Sequence, residues 1–214
     1  MPHSATVHIS HKGTSAREIR DIILADVVLT IAFALLLSGG LLSKTIKPTS
    51  ILAVLPIAAV AVAVSFVLHE LMHKFVAQHY GAWAEFRTWP IGLVITLASS
   101  MFGFLIGIPG ATYIFSNSFT KKQNGIVSLA GPATNLVIFF VFLGIWVLIS
   151  PASAYVQNAL GIITFISLWL AFFNMLPIFP LDGSKVLAWN WPVYLATMLF
   201  IVALLALFFM GAII

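Results

Sequence analysis

Residues 51–73 read ILAVLPIAAVAVAVSFVLHELMH. The first 18 of these, Ile51–Leu68, carry no charge and approach the length needed to cross a bilayer as a helix. The run then passes, without a turn signal, into His69, Glu70 and His73. An ionisable residue inside a span costs about 2.5–3.5 kcal/mol on insertion scales, so such a cluster needs a reason. On a helix, positions i and i+4 share one face and lie about 6 Å apart along the axis. Two imidazoles so placed can reach one metal ion at about 2.0–2.1 Å. Glu70 projects beside them, where it can act on a water molecule rather than on the metal.

Working outward, charge is scarce. Charged residues make up 7% of the 214 residues and apolar ones 61%, whereas a soluble domain carries about 25% charged residues. That is too little to coat a water-facing surface. The composition therefore excludes a soluble globular fold and predicts an all-α polytopic membrane protein whose first partner is the lipid bilayer. The net charge of +4 does not argue for nucleic acid, because the basic residues sit between apolar segments and form no patch. With no cysteine in the chain, disulfides, thiolate nucleophiles and Cys-containing zinc sites are excluded.

The apolar segments read as five spans: Ile22–Leu42, Ile51–His73, Gly125–Ile149, Val156–Phe173 and Pro192–Ile214. A sixth, Trp89–Phe115, is broken by Pro90, Gly92, Gly103, Gly107, Pro109 and Gly110. If it re-enters on the side it left, and the N-terminus is cytosolic, Lys12, Arg17, Arg20, Lys74, Arg87, Lys121, Lys122 and Lys185 lie inside. Only Lys44 and Lys47 then lie outside, eight against two. If it crosses, the tally is five against five. The positive-inside rule selects the first arrangement, a multi-pass protein of the cell membrane with a re-entrant segment between the second and third spans. Residues 1–21, with His3, His8 and His11, read as a polar cytosolic tail without the features of a signal peptide. Asp26 reads as an interfacial side chain one turn inside the first helix.

A catalytic zinc takes three protein ligands and keeps one open position. His69 and His73 supply two, so the third must be another histidine or a carboxylate. Asp182 is the best candidate. Pro177 and Pro180 interrupt the helix before it, and Gly183 permits a turn after it. Residues 174–183 therefore read as a partly unwound helix end that delivers a carboxylate. In the re-entrant topology His73 and Asp182 meet at the same side of the membrane; in the crossing topology they cannot.

Three features together resemble the site-2 protease family of intramembrane zinc metalloproteases, in its compact form without PDZ or CBS domains. They are His69-Glu70-Leu71-Met72-His73 in one span, Gly131-Pro132-Ala133-Thr134-Asn135 in the next, and Asn174-Met175-Leu176-Pro177 through Leu181-Asp182-Gly183 in the one after. The resemblance implies one Zn²⁺ per chain within the membrane towards its cytosolic side, and a single transmembrane protease domain over 22–214 with its catalytic core at about 51–190. It implies a re-entrant β-hairpin within Trp89–Phe115, with Gly110–Ile114 as one strand, whose edge could hold an unwound substrate. The implied activity is hydrolysis of peptide bonds within or near transmembrane segments of substrate proteins, membrane-anchored transcription or signalling factors among them. Glu70 would be the general base. Asn174 has two readings, an amide that contacts the oxyanion or substrate, and a helix cap. Asn135 and Gly131-Pro132 read as helix-packing and hydrogen-bonding support. Two other classes remain open at this stage: a metal or proton transporter using the histidines as a transit site, and a relative that binds membrane helices without cutting them.

Overall fold

A computed structural model describes residues 13–39, 48–116, 118–149 and 153–213. The N-terminal histidines, Lys44 and Lys47 lie outside them. Helix α1, Ala16–Leu37, begins six residues ahead of the expected Ile22. Ser15 caps it by accepting a hydrogen bond from Glu18 N at 3.1 Å, so part of the stretch expected as tail is helical. Asp26 consequently lies nearly three turns inside the helix rather than one. Helix α2, Pro48–Val62, runs through a π-helical turn at Ala63–Val67 into α3, Leu68–His79.

Strand β1, Trp83–Thr88, precedes a short helix α4, Pro90–Met101, and strand β2, Gly110–Phe115, follows it. Helix α5, Lys121–Leu148, starts at a capping box between Thr120 and Gln123. Helix α6 covers Ala154–Asn174, α7 Asp182–Trp189, and α8 Trp191–Phe209.

Among the described residues, four helical stretches are long and apolar enough to cross a membrane: Ile51–His79, Lys121–Leu148, Ala154–Asn174 and Trp191–Phe209. Helix α1, the expected first span, opens with Arg17, Glu18, Arg20 and Asp21. Its less charged part, Ile22–Leu37, rises about 24 Å, against about 30 Å of hydrocarbon. The expected continuation to Leu42 lies outside the described residues.

The segment Trp89–Phe115 turns back on itself. Its helix α4 has 12 residues, about 18 Å of rise, and β2 then pairs antiparallel with β1 from Trp83↔Phe115 to Thr88↔Gly110. Because Thr88 and Gly110 are paired, the chain rejoins at the point where it left. The strand Gly110–Ile114 is where the resemblance put it, but its partner lies upstream of Trp89. Glu85 and Arg87 share one face of that partner strand and pair with each other. Gly110 cannot be larger: a Cβ there would collide with the Arg87 carbonyl across the pair.

The two larger apolar clusters among the described residues hold the helices. In the first, Ala25, Leu29, Ala32 and Phe33 of α1 meet Ala58, Ala61 and Val62 of α2, and Ile166 and Leu170 of α6. Small residues on both α1 and α2 allow the close approach on which membrane helices depend in place of a hydrophobic driving force. In the second, Phe139 of α5, Leu168 and Ala171 of α6, Val186 of α7 and Ile201 of α8 interlock. Gly125 of α5 lies hard against the Trp189 ring, which seats α7, and with it Asp182, on α5.

Candidate active site

His69 and His73 stand one turn apart on α3, buried, with their Nε2 atoms 3.0 Å apart. Asp182, in the first turn of α7, sends Oδ2 to within 3.3 Å of His69 Nε2 and 3.0 Å of His73 Nε2. The break Met175–Leu181 between α6 and α7 makes this possible. Asp182 thus opens a new helix where an unwound helix end was expected. Gly183 is required there, because a Cβ would strike the Met175 and Leu176 carbonyls.

The donor chemistry of this triangle is specific. His73 Nδ1 lies 2.7 Å from the Val127 carbonyl, an acceptor that fixes the proton on Nδ1 and leaves Nε2 of the neutral ring bare. The Asn135 side-chain amide lies 3.2 Å from His69 Nδ1, and Asn135 Oδ1 is buried without a partner. Turned towards the ring, that oxygen accepts the Nδ1 proton and leaves His69 Nε2 bare as well; which way an amide points is settled by such hydrogen-bond logic. Three lone-pair atoms then converge within 3.3 Å of one another. A tetrahedral ion with bonds of about 2.0–2.1 Å spaces its ligand atoms by roughly 3.3 Å.

Gly131 of α5 keeps the space in front of the rings open. A Cβ there would sit 2.5 Å from both Nε2 atoms. The residues fit a metal ion. The carboxylate of Glu70 also lies close, with a ligand atom within 4.8 Å of those of both histidines. Asp182 Oδ2 is nearer to both rings.

A cavity of about 560 Å³ opens beside the cluster. Glu70, His73, Thr112, Asn174, Asp182 and Lys185 border it among mainly apolar neighbours. Lys185 Nζ stands 3.6 Å from the other Asp182 oxygen, Oδ1. Glu70 Oε2 accepts a hydrogen bond from Thr112 Oγ1 at 2.8 Å. Asn174 donates one amide hydrogen to Leu170 O at 3.1 Å, which ties it to its own helix while it faces the cavity.

All five residues singled out in the sequence are therefore at one site, although 113 positions separate His69 from Asp182. Sequence reasoning missed Thr112 and the buried pair of Glu18 with Lys74, whose charged atoms are 2.5 Å apart. Lys74 had counted only as a topology marker. The signal for Glu18 was present: Ser15 followed three residues later by Glu18 is a helix-start pattern.

A helical membrane protein carrying a His-Glu-x-x-His cluster closed by a distant aspartate is the class that this fold and site define. The chain is 42% identical over 178 residues to the "Putative zinc metalloprotease MJ0611" of Methanocaldococcus jannaschii, covering 82% of this chain and 86% of that one. It is 30% identical over 187 residues to Rip2 of Mycolicibacterium smegmatis, named in the same words, covering 78% of this chain and 71% of the relative. YwhC of Bacillus subtilis, again so named, is 30% identical over 155 residues, covering 64% and 69% of the two chains. The chain belongs to the site-2 protease family. No family model matches it, and no solved structure matches it significantly.

Proposed function

We propose that the chain is a zinc-dependent endopeptidase that cuts peptide bonds within or beside the membrane-spanning segments of other proteins. One observation carries the reading: two imidazole nitrogens and a carboxylate oxygen converge within 3.3 Å, an arrangement that repels itself without a cation. The names of the relatives favour zinc as that cation. His69, His73 and Asp182 would hold it. When bound, zinc supplies a Lewis acid that makes water nucleophilic near neutral pH and polarises a carbonyl.

Glu70 takes the proton of the attacking water as general base and passes it to the leaving nitrogen. Asn174, with one amide hydrogen still uncommitted among the described contacts, faces the developing oxyanion or the substrate backbone. An intact helix hides its carbonyls in its own hydrogen bonds, so a substrate span must unwind before it is cut. The edge of β2 that borders the cavity can hold the unwound stretch as an added strand. In this reading the N-terminus is cytosolic and the site lies towards that face, because the positive charges gather there. Membrane-anchored transcription or signalling factors are the substrate class.

Metal content and cleavage test the proposal together. Purified wild type should carry about one zinc per chain, and Asp182→Ala should lose most of it. A fusion protein whose single apolar span carries a central Asn-Pro pair should be cut by wild type and left intact by Glu70→Gln, which keeps its zinc. Cleavage by Glu70→Gln at the wild-type rate, or full zinc in Asp182→Ala, overturns it.

A further inference from the structure

We infer that Thr112 is a positioning residue: its hydroxyl holds the Glu70 carboxylate and makes the aim of that carboxylate depend on how the β1–β2 hairpin is seated. The inference rests on the reading of Glu70 as general base.

Thr112 Oγ1 lies 2.8 Å from Glu70 Oε2 and 3.2 Å from Glu70 O. A hydroxyl has one proton to give. The Glu70 carbonyl, inside α3, already accepts the helical bond from the amide of Lys74. The proton therefore goes to the carboxylate, and a bond to an ionised oxygen is roughly twice as strong as a neutral one. Among the described residues, no other side chain hydrogen-bonds that carboxylate. With Oε2 engaged, Oε1 is the oxygen left to take a proton. Thr112 thus selects which oxygen acts and fixes its direction.

The hairpin that carries Thr112 is anchored to the same helix a second time. Thr112 pairs across the sheet with Phe86. Phe86 N donates to Glu18 Oε1 at 3.0 Å, and Glu18 Oε2 receives Lys74 Nζ at 2.5 Å. Lys74 lies one turn beyond Glu70 on α3. Lys74 also donates to Thr14 Oγ1 at 3.0 Å. The path from Glu70 through Thr112, Phe86, Glu18 and Lys74 closes on itself across α3, β2, β1 and α1. This second anchor is buried: Glu18 is 0% and Lys74 2% exposed.

The two anchors separate aim from assembly. Valine at position 112 keeps the shape of threonine without its donor. The Glu18–Lys74 anchor still seats the hairpin, so the variant folds and holds metal while the carboxylate is released. Misplacing a reacting group by about 1 Å costs on the order of 10²-fold in rate.

The test uses the full-length enzyme and the Asn-Pro fusion protein as probe. Thr112→Val should lower kcat about 10–100-fold with KM and zinc content unchanged, and Thr112→Ser, which keeps the donor, should restore kcat to within about threefold. A Thr112→Val enzyme at wild-type kcat, or a Thr112→Ser enzyme as slow as Thr112→Val, overturns the inference. Melting gives a readout independent of turnover. Thr112→Val should lower Tm by about 3–6 °C when Glu70 is present and leave it unchanged in a Glu70→Ala background. Equal shifts in both backgrounds overturn the inference. If wild type holds zinc but never cuts the probe, it is the general-base reading that fails, and the melting comparison alone decides whether Thr112 holds Glu70.

Discussion

Replacing Gly131 by alanine tests the metal centre with a single methyl group. The added Cβ would lie 2.5 Å from Nε2 of both His69 and His73, and 2.6 Å from His69 Cε1. Ordinary contact starts at 3.4 Å, so α5 or the rings must yield by about 0.9 Å. Metal–ligand distances tolerate only about 0.2 Å. Losing a supporting hydrogen bond beyond the ligands weakens a metal site about 10–100-fold, and blocking the ligand atoms themselves should reach at least the upper figure. Zinc affinity should fall about 100-fold or more, close to 2.8 kcal/mol. The assay is competition for zinc against a chelator in purified protein.

Gly144, on the same helix, is the control, since a Cβ there meets nothing within 4 Å. Gly144→Ala should bind zinc as wild type does and gain about 0.5–1 kcal/mol of stability from a better helix former. Wild-type zinc affinity in Gly131→Ala would refute the placement of the ion in front of the two Nε2 atoms.

Asn135→Leu removes the partner of His69 Nδ1 and should weaken zinc about 10–100-fold in the same competition, while saturating zinc still gives one ion per chain. Lys74→Met strands the Glu18 charge in the interior and should cost about 3–5 kcal/mol, read as a lower melting temperature in detergent. The Glu18→Leu/Lys74→Met double variant should melt well above that single variant, and equal melting of the two would contradict a buried pair.

What was legible in the sequence followed from patterns that one stretch of chain carries by itself. The long helix through His69 and His73, the spans of α5, α6 and α8, and the break before Asp182 each announce themselves by hydropathy or by proline and glycine placement. The approach of Asp182 to His69 and His73 was legible because ligand number and the absence of cysteine left few candidates for a third group. Pairings between distant segments were not. Thr112 looks like any strand threonine until β2 lies along α3. Trp83–Thr88 hides a strand because Glu85 and Arg87 cancel each other only once the backbone is extended. Glu18 lay in the stretch read as a polar tail and Lys74 counted only towards topology, and only tertiary packing makes them an interior pair.

The π-helical turn at Ala63–Val67 has a consequence for how this protein can vary. Such a turn closes its hydrogen bonds one residue later than an α-helix, and so accommodates an extra residue without breaking the rod. Each residue advances an α-helix by about 100°. The turn therefore sets the rotational phase between two halves of one rod: α2, whose phase is fixed against α1 and α6, and α3, whose phase is fixed by its packing on α5 and by the approach of Asp182 from α7. Deleting one residue from 63–67 would leave a smoother helix whose histidines face away from Asp182. The least regular turn of this rod is thus the one that decides which way its histidines face.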